Sequence, residues 1–178
     1  LSPELNEGEM RIMLRWPITN PVTAVDLDSH LSIPNRDDNG TVHIYYGMQS
    51  GNDYYIYVDA NDNVSLDKDH SMESSPTPPP GDETITITKI RSGIYRYSVH
   101  NYTDKLRSTS SPSDNLSKSG AKVKVFYNKE GTLVRKRFYV PNDNGTLWSV
   151  FTFDSSGSGS GFTRDRDMTY ENTNSNIY

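Results

Sequence analysis

Asp26-Leu27-Asp28-Ser29-His30-Leu31 is the stretch that decides how the chain is read. Successive side chains of a β-strand point to opposite faces. Val25, Leu27, Ser29 and Leu31 then share one face, and Asp26, Asp28 and His30 share the other. The second row sets two carboxylates and an imidazole at one spacing. Like charges that close repel, so the row calls for a cation, basic neighbours or solvent.

The same alternation runs outward from this stretch. Met10, Ile12, Leu14 and Trp16 alternate with Arg11, Met13 and Arg15 until Pro17 ends the pattern. Further strands are predicted at 42–46 and 54–59, which pair as a hairpin, and at 84–90, where Thr alternates with Ile. Gly93 opens another at 94–101, and 121–127 with 133–140 forms a hairpin around Asn128-Lys129-Glu130-Gly131. A last strand follows Asn142-Asp143-Asn144-Gly145. No segment of helical length carries a 3.6-residue period. This rhythm predicts an all-β fold, a two-sheet antiparallel β-sandwich of about nine strands with long loops. Pro76, Pro78, Pro79 and Pro80 mark one surface loop, and the Ser/Thr/Asp-rich 103–119 another. The domain is placed at 1–154. The Ser/Gly composition from Ser155 assigns 155–178 to a linker and polar tail, with docking of Phe162, Tyr170 or Tyr178 as the alternative.

Composition narrows the function. The chain has 178 residues, a formal net charge of −5, twelve Tyr and no Cys. Disulfides, thiol catalysis and cysteine-bound zinc are excluded. No basic block of the kind that neutralises a phosphate backbone is present, so nucleic acid is not an expected partner. No apolar run reaches the roughly 20 residues of a membrane span. The start at Leu1 reads as an excised domain or a mature chain.

Three sets of residues carry candidate chemistry. Asp59 to His70 places oxygen side chains at every second position, as an EF-hand loop does, but Val64 stands where that loop needs Gly and His70 where it needs Glu. The motif is rejected, while Asp67, Asp69 and Glu83 stay available to join Asp26 and Asp28 around Ca²⁺. The alternative is a polar row in which the Asp residues cap turns or pair with arginines. His30, His43 and His100 lie on predicted strands and either converge or serve separately. A hydrolase on His30 or His100 needs an activated nucleophile, and no G-x-S-x-G or H-E-x-x-H motif supplies one. The expectation is no enzyme. Tyr45 and Tyr97 head a set with Tyr46, Tyr54, Tyr55, Tyr57, Tyr95 and Tyr102 that either lines a glycan or peptide surface or packs across strands. Five N-x-[ST] sequons, at Asn39, Asn63, Asn101, Asn115 and Asn144, reflect the composition.

An ordered series of phrases extends beyond single motifs. It comprises Trp16, Asp26-Leu27-Asp28-Ser29-His30-Leu31, His43-Ile44-Tyr45-Tyr46, Ser65-Leu66-Asp67-Lys68-Asp69, and Gly81-Asp82-Glu83-Thr84-Ile85-Thr86-Ile87. Gly93 to Tyr102, Ser119-Gly120-Ala121-Lys122-Val123 and Gly145 to Phe151 complete it. Over 8–154 the series resembles the YfaP-like domains of bacterial exported proteins, which sit beside other β-sandwich modules in long cell-surface chains. The resemblance implies an extracellular, cell-surface or periplasmic module with neighbouring domains and no established enzymatic activity. It points to a polar or metal centre at Asp26, Asp28, His30, Asp67, Asp69, Glu83 and His100. The longer 17–24 segment and the Pro76–Pro80 loop depart from the family pattern.

Overall fold

The structure is a computed structural model that describes residues 4–18, 25–35, 40–47, 62–70, 79–156 and 161–177, with 55–56 described as backbone only. Tyr54, Tyr57, most of the proline loop and the Gly/Ser stretch at 157–160 lie outside the described residues. Two antiparallel sheets pack face to face, as the alternation predicts.

The first sheet contains β1 (Met10–Trp16), β4 (Tyr55–Ile56), β5 (Val64–Lys68), β6 (Gly81–Ile87), β8 (Lys122–Lys129) and β9 (Thr132–Tyr139), in the order β4-β5-β6-β1-β8-β9. The second contains β2 (Leu27–Pro34), β3 (Thr41–Ile44), β7 (Ile94–Asn101), β10 (Leu147–Asp154) and β11 (Gly161–Arg164), in the order β11-β10-β7-β2-β3, with β12 (Met168–Thr169) on β10. A single helical turn, α1 (Asn115–Lys118), lies in the loop after β7.

Alternation sends one face of each strand into the core. Met10, Ile12, Leu14 and Trp16 meet Leu27, Leu31, Tyr97 and Val99 there, all essentially buried. β10 departs from strict alternation. Its register on β7 shifts between Ser149 and Phe151, and this bulge brings Trp148, Phe151 and Phe153 opposite the inward Val99, Tyr97 and Tyr95. The β8–β9 hairpin closes through Glu130 and Gly131, both at positive φ (52° and 76°), the backbone of a type I′ turn.

Several expectations need correction. The strands around His43 and Tyr55 do not form a hairpin: β3 pairs with β2 in one sheet and β4 with β5 in the other. The stretch between Asp59 and His70, where no strand is predicted, contains β5, because Val64 and Leu66 are buried among its polar residues. The domain also continues past Asp154. β11 pairs with β10, and Phe162 stacks on Phe153 at 4.5 Å and meets Phe151 at 5.1 Å. Ile177 is buried as well. Phe162, an isolated aromatic in a polar tail, is therefore an anchor for that tail.

Candidate cation centre

β2 is buried on both faces. Leu27, Ser29, Leu31 and Ile33 point between the sheets, while Asp28 and His30 point outward. Asp28 stands directly opposite His100 of β7 in the strand register, and His30 follows Asp28 on the same face. Cross-strand partners have Cβ atoms about 5 Å apart. Asp28, His30 and His100 each place one ligand atom within 4.8 Å of the others.

A second group forms at the neighbouring edge. β3 pairs with β2 only from Leu31 onward, which leaves the Ser29 backbone without a strand on that side among the described residues. Glu83, on the core face of β6, fills the gap, and its Oε2 accepts the Ser29 N–H at 2.6 Å. Asp69 follows β5 after a register shift between Leu66 and Lys68. Asp28, Asp69 and Glu83 also place ligand atoms within 4.8 Å of one another. Asp28 belongs to both groups.

The electrostatics follow from this crowding. Burial, and then the Asp26 and Asp69 charges, push the Asp28 carboxyl up to about 8, opposed by Lys105. Burial and Asp28 hold Glu83 well above the ordinary range. Burial also raises Asp26, against the pull of His70. Burial and the neighbouring His43 and His100 hold His30 well below the usual imidazole value, and burial takes His43 down to about 4. Burial lowers His100 against the opposing Glu171 carbonyl.

The hydrogen bonds leave particular atoms unpaired. His100 Nε2 lies 2.9 Å from the Glu171 carbonyl, and His30 Nδ1 lies 2.9 Å from His43 Nε2. Asp28 Oδ2, Glu83 Oε1, His30 Nε2 and His100 Nδ1 are buried with no hydrogen-bond partner among the described residues. Among the described residues Asp26 Oδ1 and His70 Nε2 are orphaned beside them, and a buried polar atom without a partner costs about 1–3 kcal/mol, so the cluster needs an explanation.

The sequence-derived residues divide accordingly. Asp28, Asp69, Glu83, His30 and His100 come together. Asp26 lies outside both groups, half-buried beside Asp69 and His70, and its backbone N–H is bound by Thr103 Oγ1 at 2.9 Å. Asp67 does not belong to the centre. It is exposed on the outer side of the β5 bulge, where its carboxylate accepts from Ser65 and Thr86. Tyr97 is a core residue whose hydroxyl pairs with Ser29 Oγ at 2.7 Å on the opposite face of β2. Tyr45 does adjoin the centre, stacking on His43 at 4.5 Å and on His30 at 5.4 Å. Among the described residues no hydroxyl bonds His30 or His100.

His43, named with His30 and His100 from the sequence, does converge on His30, stacking at 5.0 Å. Three other contributors leave less trace: His70, edge-on to Trp16 at 5.3 Å, Lys105, and the Glu171 carbonyl. A backbone carbonyl leaves none. No protein-family model matches the chain, and no curated protein matches it.

Proposed function

We propose that this domain is a non-catalytic binding or spacer module of a bacterial extracellular or periplasmic surface protein, pinned at one corner by a calcium ion. The supporting observation is the Asp28–Asp69–Glu83 group: three carboxylates with ligand oxygens within 4.8 Å, two of them contributing buried oxygens that lack a partner among the described residues. Buried like charges destabilise a fold unless a cation compensates them. Oxygen-only ligands at irregular geometry suit Ca²⁺, whose metal–oxygen distances of about 2.3–2.6 Å place ligand oxygens up to roughly 5 Å apart.

The ion joins β2 of one sheet to β6 and the end of β5 in the other. It binds the native state alone, because the three carboxylates are far apart in the unfolded chain, and so it stabilises by mass action. The surface setting, with neighbouring domains in a longer chain, rests on the YfaP-like resemblance. Thermal melts of chelator-treated protein with and without excess CaCl₂ test the reading. A clear rise in midpoint with calcium is expected, and superimposable melts would sink it.

A second reading is glycan or peptide recognition beside the centre. Tyr45, Tyr46 and Tyr102 supply adjoining, partly exposed rings, with centroids 5.5 Å and 5.8 Å apart. Glycan and peptide arrays run with calcium present test it, and blanks on both leave the spacer role.

A further inference from the structure

We infer that Asp28, His30 and His100 form a second cation subsite, one that takes a divalent transition metal of the zinc class and shares Asp28 with the carboxylate group. This deepens the proposed function and rests on its reading of Asp28 as a ligand. The two imidazoles are not part of the carboxylate group: at ligand spacing the five side chains fall into two sets, with Asp28 common to both.

Three lone pairs converge here without a donor among the described residues. A carbonyl oxygen only accepts, so His100 must carry its proton on Nε2 to bond Glu171, and its Nδ1 presents a bare lone pair. His30 uses Nδ1 toward His43, and donation in that direction leaves Nε2 as the second bare lone pair. Asp28 Oδ2 is a third acceptor. His30 and His100 are at most 1% exposed, and none of the three atoms meets a donor among the described residues. A proton on Asp28 satisfies one contact and leaves the other imidazole unpaired. A cation satisfies all three at once.

The surroundings match those of imidazole metal ligands. Such a histidine characteristically donates its remote N–H to a carbonyl or another acceptor, which fixes the ring and raises its basicity. Here the Glu171 carbonyl and the His43 ring hold those positions, and Tyr45 stacks behind. Two imidazoles and one carboxylate select a borderline metal over calcium, and three protein ligands leave an open coordination position. The C-terminal segment also acquires a role, because Glu171 orients His100 only when that segment is docked.

Co²⁺ is the probe, read by its visible absorption in chelator-treated protein with saturating CaCl₂. The expected result is one bound equivalent, with affinity reduced at least tenfold in His100→Gln and in His30→Gln, while the calcium-dependent rise in melting midpoint is kept. Equal Co²⁺ binding by wild type and both variants overturns the inference, as does stoichiometric displacement of Co²⁺ by Ca²⁺. If calcium leaves the melt unchanged but Co²⁺ binding depends on His100, the calcium reading fails and this subsite stands. Should the variants not fold, ¹⁵N imidazole spectra of wild type with Zn²⁺ decide. Shifts at His30 Nε2 and His100 Nδ1 support the subsite, and their absence overturns it.

Discussion

Asp28 concentrates the conflict between stability and binding. It is buried, faces Asp26, Asp69 and Glu83, and has Lys105 as its opposing cation. Asp28→Asn removes a carboxyl that the metal-free fold must either protonate or hold charged, at a cost in both cases. In chelator, melting should therefore rise, by roughly 1–3 kcal/mol of stability or several degrees for a chain of this size. The same variant should lose the calcium response. A lower melting midpoint in chelator contradicts this account of the residue.

The pH dependence has a defined sign. Folded Asp28 holds its proton up to about 8, against 3.8 when unfolded, so its contribution is greatest at low pH and is lost as pH rises through that window. Glu83 acts in the same direction. His30, His43 and His100 act oppositely: their contribution is present above 6.5 and is lost below it, toward about 4 for His43. Above 6.5 only the carboxylate slope is left. Metal-free protein should lose stability between 6.5 and 8, and saturating calcium should flatten or reverse that trend. Melts across this window, with and without the ion, check it.

At the scale of elements, β1 and β6 meet with no spare room at Trp16. A Cβ at Gly81 would sit 2.0 Å from the Trp16 ring, its cross-strand neighbour. The ring is anchored by Nε1–H donation to the Val25 carbonyl at 2.9 Å. Gly81→Ala should cost about 1–3 kcal/mol through overpacking, and chemical denaturation measures it. The last segment is equally structural. Truncation after Asp154 removes Phe162 from the Phe151–Phe153 cluster and the Glu171 carbonyl from His100. A chain shortened there should melt lower and expose aromatic surface to a hydrophobic dye.

Element legibility had physical limits. β1, β6, β7 and the β8–β9 hairpin were readable because one face is apolar and a turn residue closes each. β5 was obscured by the polar residues that flank Val64 and Leu66, of which Asp67 is exposed. β11 was obscured because the Gly/Ser composition of 157–160 carries no information about the strand at 161–164. The hairpin expected between β3 and β4 failed because proximity in sequence does not record which sheet a strand joins. In the centre, alternation gave Asp28 and His30, but their meeting with His100, Asp69 and Glu83 depends on register, a bulge and an open sheet edge.

At the scale of the whole molecule, charge is segregated. The outer face of β1, β8 and β9 carries Arg11, Arg15, Lys122, Lys124, Arg135 and Arg137, brought side by side by strand register. None of the six forms an ion pair among the described residues, although the chain as a whole carries −5. Only the short run Arg135-Lys136-Arg137 hints at this face in the sequence, because alternation scatters the six residues over three strands. The protein should therefore bind a sulfated cation-exchange matrix at low salt near neutral pH despite its net charge, and Lys124→Glu with Arg137→Glu should abolish retention. Flow-through of the wild type contradicts the segregation.

The acidic corner has the opposite character, and the account of the fold turns on it. Asp28 Oδ2 from one sheet and Glu83 Oε1 from the other are buried there without a partner among the described residues, and a cation at the Asp28–Asp69–Glu83 group is the central claim. Equilibrium dialysis of chelator-treated protein against millimolar-range calcium near neutral pH tests it most directly, with Glu83→Gln alongside. Wild type should retain one calcium per chain, and Glu83→Gln should lose it. No calcium above the dialysate level in folded wild type, or equal retention by both proteins, contradicts it.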